Sequence, residues 1–351
     1  MSAATTVAAG PAIGTRLRPR WLLLGVGGVV AAGLLGIFVG PVSLGVRGVL
    51  VEMIDRIPFV DASSGLSARD SAILWEIRFP RMVLGGLVGA TLALAGAAYQ
   101  GVFRNPLADP YLLGAAAGAG LGATLVIAYG PGREAWPVDP VPMAAFAGAL
   151  FGVGAAYLLG RSATRTRSSL ILAGVAIASF LTAIQTYLQQ RESDTLREVY
   201  TWILGQLGTV GWDEVVLILP YTALGAVTIV LHRRLLDVMS LGDDEADSLG
   251  VRAARVRLIV VTAASLATAA AVAVSGLIGF VGIIVPHTVR LIVGSSYRLV
   301  LPLSLLFGAS FLIATDVIAR TLLAPAEMPI GVITAFFGAP FFLFVLRRSR
   351  R

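Results

Sequence analysis

Apolar and polar positions along this chain fall into long blocks. Nine stretches carry no Asp, Glu, Lys or Arg: 21–46, 82–103, 110–132, 140–160, 168–190, 215–232, 258–289, 299–315 and 328–346. A helix needs about 20 apolar residues, range about 17–25, to cross a hydrocarbon core of about 30 Å. Eight stretches fit one span each. The ninth, 258–289, would form a helix of about 48 Å at 1.5 Å per residue, too long for a single crossing. It holds Gly276, Gly279, Gly282 and Pro286, which break a helix in combination. The pattern therefore predicts a full span, a bend near Ser275–Gly279 and a short second span. The expected fold is an all-α polytopic membrane protein with ten transmembrane helices, which puts both termini on one side.

Composition and charge agree. Hydrophobic residues make up 57% of 351 and charged residues only 13%, roughly half the soluble norm of about 25%. A soluble fold of this size lacks the interior to hide so much apolar surface. All 27 positive charges are arginine. With the N-terminus inside, 18 of them (Arg16, Arg18, Arg20, Arg104, Arg161, Arg165, Arg167, Arg233, Arg234, Arg252, Arg255, Arg257, Arg290, Arg298, Arg347, Arg348, Arg350, Arg351) lie in inner segments, and 27 − 18 = 9 lie outside. That bias marks both ends as cytoplasmic and accounts for the net +7 without nucleic acid.

Missing residue types exclude chemistry. There is no cysteine, so disulfides, thiolate nucleophiles, iron–sulfur clusters and cysteine zinc sites are out. Without lysine there is no P-loop and no Schiff base. Two histidines, His232 and His287, cannot build a multi-histidine metal site. A membrane enzyme would need a convergent polar site, and little remains to build one.

Residues 1–20 read as a cytoplasmic leader, disordered and followed by an uncleaved first span. A cleaved signal peptide is the rival reading, which the 26-residue apolar run outlasts. The remainder, 21–348, reads as one ten-span membrane domain with two unusual connections. An external segment, 47–81, ends in Arg78-Phe79-Pro80-Arg81, whose arginines suit an acidic partner or serve as membrane-edge anchors. A cytoplasmic segment, 233–257, has Gly242 and Gly250 punctuating two short helices. Its acids stand between basic flanks, unlike a lipid-bound helix, which fits a protein-docking platform better than a plain solvated loop. Gln100 to Pro110 forms a stiff inner turn through Asn105, Pro106 and Asp109.

Within the spans, Asp316 and Arg320 stand four apart, a favourable helical pair. An intramembrane charge also opens the case for ion coupling in a secondary transporter, which the neighbouring Arg320 weakens. His287 reads as structural. Gly85–Gly89, Gly114–Gly118, Gly118–Gly122 and Gly148–Gly152 allow close helix approach, within one bundle or at a dimer interface.

Arg78-Phe-Pro-Arg81, Gly89, Leu94-Ala95-Gly96, Gln100 and Arg104-Asn105-Pro106-Leu107-Ala108-Asp109-Pro110-Tyr111-Leu112-Leu113-Gly114 resemble the iron-siderophore, haem and cobalamin permeases of bacterial ABC importers. The resemblance continues at Tyr200–Gly205, Leu241–Gly250, Gly276–Arg290, Asp316–Arg320, Met328–Val332 and Gly338–Pro340. It covers nearly everything after residue 70. Phe79 and Ile330 depart from the commoner Leu and Val.

It implies a ten-span type II importer subunit in the bacterial plasma membrane and a homodimer around a central path. Two ATPase subunits inside would bind the ATP and magnesium, and one extracytoplasmic binding protein would deliver cargo. No cofactor, metal or catalytic residue is expected on this chain. By resemblance, Arg78, Arg81 and Arg320 meet carboxylates of the binding protein, for which a guanidinium fork is suited. Leu241, Gly242, Asp243, Asp244, Glu245, Ala246, Leu249 and Gly250 belong to the segment that couples to the ATPase. Gln100, Asn105, Pro106, Thr166 and Ser168 fall where the path closes inside. The favoured cargo is an iron chelate or haem, with cobalamin as the alternative.

Overall fold

The computed structural model describes residues 17–57, 65–131, 139–162, 167–208 and 211–349, which are helical with no strand among them. In chain order the helices are α1 (Pro19–Phe38), α2 (Val46–Asp55), α3 (Ala68–Ala72), α4 (Phe79–Phe103), α5 (Ala115–Tyr129), α6 (Pro140–Ser162), α7 (Arg167–Arg191) and α8 (Leu196–Ile203). Then follow α9 (Trp212–Leu231), α10 (Arg233–Met239), α11 (Asp243–Ser248), α12 (Ala253–Ser275), α13 (Val281–Val293), α14 (Tyr297–Thr321) and α15 (Ile330–Ser349). Among the described residues seven helices are long and apolar enough to cross a membrane, and three apolar ones, Ala115–Tyr129, Val281–Val293 and Ile330–Leu343, are shorter.

Helices α4 and α12 form the centre. From Val88 to Phe103 every residue of α4 is buried, and most are Gly, Ala or Leu. Small residues let backbones meet. A Cβ at Gly89 would strike the Gly308 carbonyl of α14, and one at Gly96 would strike the Gly282 carbonyl of α13. Gly118 faces Gly148 and Gly122 faces Ala144 across α5 and α6, and Gly114 stands against Gly152. Those glycine spacings are thus used within one bundle, where close packing replaces the hydrophobic drive that lipid does not provide. By contrast α6, α7 and α9 expose Phe151, Leu172, Phe180 and Leu224, side chains suited to lipid.

The long apolar stretch breaks as its glycines predict. Helix α12 stops at Ser275, and Gly276 takes φ +67° with no room for a Cβ beside the Trp202 carbonyl. Phe280 then takes φ +69° before α13, a costly left-handed conformation for a bulky residue.

Three boundaries differ from the charge-free stretches. The first helix ends at Phe38, not 46, because residues 39–45 fold over Arg78, whose guanidinium contacts Gly40 and donates to the Val42 carbonyl. The segment 47–81, expected to be external, is largely helical among its described residues: α2 lies on it, and one helix runs from Ala68 through a π-helical Ile73–Arg78 into α4. The π turn bonds the Phe79 amide to the Leu74 carbonyl just ahead of Pro80, which has no amide of its own to bond. A small separate core of Ile37, Leu44, Val49 and Leu74 holds this segment together. Finally, residues 110–113 form a 3₁₀ turn, so the third apolar helix starts only at Ala115.

Candidate functional site

Two sites lie at opposite ends of the bundle, joined by α14. At one end Arg81, near the start of α4, reaches α14. Its Nε donates to both Asp316 oxygens at 3.0 and 3.1 Å, and Nη2 donates to Oδ1 at 2.8 Å. The outward side of the same guanidinium donates to Glu327 at 2.9 and 3.0 Å. Arg320 Nε lies 3.6 Å from Asp316 Oδ2, and its Nη2 donates to the Gly36 carbonyl. Arg78 donates to the Ile37 carbonyl at 2.7 Å and to that of Val42. Arg81 and Arg320 thus meet on one buried carboxylate, while Arg78 ties the entry to α4 to the end of α1 through backbone carbonyls.

The arginines expected to meet an acidic partner are buried here. Arg78, Arg81 and Arg320 are 3%, 5% and 3% exposed, and each already has partners in its own chain. Taking such charges out of water is costly, so the chain answers them with its own acceptors. The Asp316–Arg320 pair exists, but Arg81 is the closer partner of Asp316. Glu327 escaped the sequence reading. Its signal was an acid one residue before the apolar stretch that begins at Met328.

At the other end, 233–257 forms the two expected short helices. Leu236, Met239 and Ala246 point inward, while Leu241 and Leu249 are 64% and 63% exposed. Asp244, Glu245 and Gly250 are exposed as well, and Gly242 is buried. Asp243 bonds Arg257 at 2.7 Å. Asp237, on α10, accepts from the Tyr297 amide at 2.6 Å and from Ser296 Oγ at 2.9 Å, so it caps the first turn of α14. The platform and the ion cluster therefore hold the same helix, 19 residues or about 28 Å apart.

The inner-closure candidates lie at the platform end, where Gly101 packs against Tyr297. Gln100 is buried, donates to the Gly282 carbonyl at 2.9 Å and accepts from Arg290, locking α4 to α13. Asn105 accepts from the Leu107 amide at 2.9 Å within the turn, and Pro106 is exposed beside it. Asp109 accepts from the Tyr111 amide at 2.9 Å, and burial pushes its carboxyl up to about 6. Tyr111 Oη donates to the Ile278 carbonyl and accepts from its amide, bracing the turn against the break before α13. Ser168 is exposed at the start of α7, apart from Gln100 in sequence and setting. Thr166 and leader residues 1–16 lie outside the described residues.

Among the described residues, seven helices of spanning length, charges gathered toward the ends of the bundle and a two-helix platform at one end make an arrangement suited to a membrane protein. The sequence profile of the FecCD transport family matches residues 28–348. The chain belongs to that family. It is 42% identical over 281 residues to the ABC transporter permease protein YvrB of Bacillus subtilis, covering 80% of each chain. It is 41% identical over 284 residues to the cobalamin import system permease protein BtuC of Halobacterium salinarum, covering 81% of this chain and 75% of that one. Against the hemin transport system permease protein HmuU of Yersinia pestis it is 39% identical over 293 residues, covering 79% and 84%. A solved metal-chelate type ABC transporter in an inward-facing conformation superposes with a TM-score of 0.81 at 28% identity, over 94% of this chain and all of that one. The chain is accordingly a multi-pass plasma-membrane permease component of an ABC importer in the iron-chelate, haem and cobalamin group. It works with a separate ATPase and a substrate-binding protein.

Proposed function

We propose that this chain is one of two identical permease subunits that carry a ferric siderophore or haem into the cytoplasm by alternating access. The helix inventory supports ten spans per subunit in a single domain with cytoplasmic termini: seven helices of spanning length and three shorter apolar ones. The arginine bias supports the orientation. Two ATPase subunits bind the ATP and magnesium, and this chain supplies no catalytic group or cofactor. Cobalamin is the second reading, favoured by the 41% identical relative.

The observation that carries the mechanism is the double hold on α14. Asp237 grips its cytoplasmic end, and Arg81 grips Asp316 near its outer end. A displacement of α10 and α11 by a closing ATPase pair is then felt at the outer ion cluster through one rigid element. Coupling requires that ATP and the binding protein each discriminate between two states of that element. Leu241 and Leu249 are the apolar anchors for the ATPase, with Asp244 and Glu245 beside them facing its basic groups. At the outer end, Arg78, Arg81 and Arg320 form the docking cluster. A binding-protein carboxylate reaches Arg81 by replacing Glu327, whose side chain is 41% exposed. Gln100, Asn105, Pro106, Thr166 and Ser168 serve inner closure.

The test is co-purification. Asp244→Arg is expected to abolish recovery of the ATPase subunit with the tagged permease while the permease alone keeps its thermal stability. Full recovery of the ATPase would refute the platform assignment.

A further inference from the structure

A cavity of about 360 Å³ opens between α6, α7 and α12, lined by Tyr157, Gly160, Leu170, Ala254, Arg255, Arg257 and Leu258. Its walls are the end of α6, the start of α7 and the start of α12, so it lies at one end of the bundle. Gly160 and Ala254 add almost no bulk there, which leaves the space open. The lining is graded along the helix axes. Arg255 stands three residues nearer the helix end than Leu258, about 4.5 Å. Leu258 is 44% exposed and Arg255 is exposed, so the cavity opens on the outer flank.

Among the described residues its charge is not balanced. Arg257 gives one terminal nitrogen to Asp243 at 2.7 Å, while its Nε is buried with no hydrogen-bond partner. Arg255 makes no ion pair among the described residues. Two arginines therefore line this space, with Asp243 as the one carboxylate paired to them among the described residues, and a buried donor of Arg257 is left unpaired, which costs free energy.

We propose that this cavity is a binding site for the headgroup of an anionic phospholipid. The phosphate would lie between Arg255 and Arg257, whose forks match phosphate oxygens. The upper acyl carbons would lie on Tyr157, Leu170 and Leu258. The volume is near the lower end of ligand pockets, about 300–1,000 Å³, enough for a headgroup and chain tops. Surplus positive charge disfavours a zwitterionic headgroup, whose cation would meet the arginines. Basic pockets between spans at the cytoplasmic surface are suited to such lipids. Because Arg257 also holds Asp243 on α11, an occupying phosphate competes with that carboxylate and links lipid to the platform.

The full-length chain is purified in non-ionic detergent with equal phosphatidylglycerol and phosphatidylcholine, and retained lipid is quantified by mass spectrometry. Wild type is expected to retain phosphatidylglycerol in excess. Arg255→Gln, which removes one charge, and Ala254→Phe, which fills the space while keeping the charge, each lower that excess about fivefold. Arg191→Gln, at an exposed arginine elsewhere, leaves it unchanged. Melting temperatures report folding, and Arg255→Gln decides the matter alone where Ala254→Phe unfolds. Equal retention of both lipids, or an excess untouched by Arg255→Gln, overturns the proposal. So does displacement of the lipid by millimolar inorganic phosphate, which would mark a free-anion site. Loss of ATPase co-purification in the variants with lipid retention intact would make this face a protein contact and equally overturn it.

Discussion

Asp316 and Glu327 share one guanidinium, yet the structure assigns them very different costs of removal. The perturbation is to neutralise each in turn, Asp316→Asn and Glu327→Gln. The Asp316 side chain is 4% exposed and lies 2.8 Å from Arg81 and 3.6 Å from Arg320. At an effective dielectric of about 20, a unit pair at 2.8 Å attracts by about 6 kcal/mol before desolvation is counted. Asp316→Asn leaves Arg81 and Arg320 buried and facing each other, with Glu327 as the one nearby acid. Breaking a buried pair in this way costs about 3–5 kcal/mol. Glu327 is partly in solvent, where screening reduces a pair to about 1 kcal/mol or less. For a chain this size the first loss lowers the melting temperature by about 5–15 °C and the second by no more than about 3 °C. The assay is thermal denaturation of the detergent-purified permease in low and high salt. Salt shrinks the Glu327→Gln effect and leaves the Asp316→Asn effect in place. Equal shifts for the two variants, or a larger one for Glu327→Gln, would refute the claim that Asp316 is the centre of the cluster.

Other sites give independent tests. Gly96→Val puts a side chain into the Gly282 carbonyl and pushes α13 off α4, so it is expected to cost at least about 1–3 kcal/mol of thermal stability. Gly27→Ala, with nothing within 4 Å, gains up to about 1 kcal/mol, and equal outcomes at the two glycines would undo the packing argument. Replacing both exposed leucines, Leu241→Asp with Leu249→Asp, leaves the melting temperature of the isolated permease unchanged and removes ATPase recovery. Retained recovery would contradict the anchor role. The Asp109 carboxyl, pushed up by burial from an ordinary value near 3.8 to about 6, favours the protonated folded state. Stability is therefore expected to fall as pH rises from about 4 to 6 and to level off above. Asp109→Asn removes that slope, and a melting profile identical to wild type across this range would show that Asp109 does not cause it.

What the sequence revealed depended on how local the physics was. Spans were legible because lipid tolerates no charge over about 20 residues, and the break before Gly276 because glycine marks it. The short helices of 233–257 were legible from Gly242 and Gly250 for the same reason. The external segment was not, since α2 and the π-helical entry to α4 carry charges on faces whose partners lie elsewhere: Glu52 accepts from Ser71 Oγ and Trp75 Nε1. Nor was the arginine network. Arg81 and Asp316 are 235 positions apart, and Glu327 joins them only because the loop after α14 folds back, with the Met328 amide on the Ala319 carbonyl. The i, i+4 rule found the Asp316–Arg320 pair but missed the stronger partner, because that rule sees one helix at a time.

The most direct test of the central claim is uptake into proteoliposomes containing this permease with its ATPase and binding protein, offered ferric siderophore, haem and cobalamin in turn. The account predicts that one iron chelate or haem enters, that entry requires ATP on the ATPase side, and that a proton or sodium gradient neither drives nor replaces it. Uptake that ignores ATP and follows an ion gradient, and that is lost in Asp316→Asn, would contradict it and make Asp316 an ion-coupling residue.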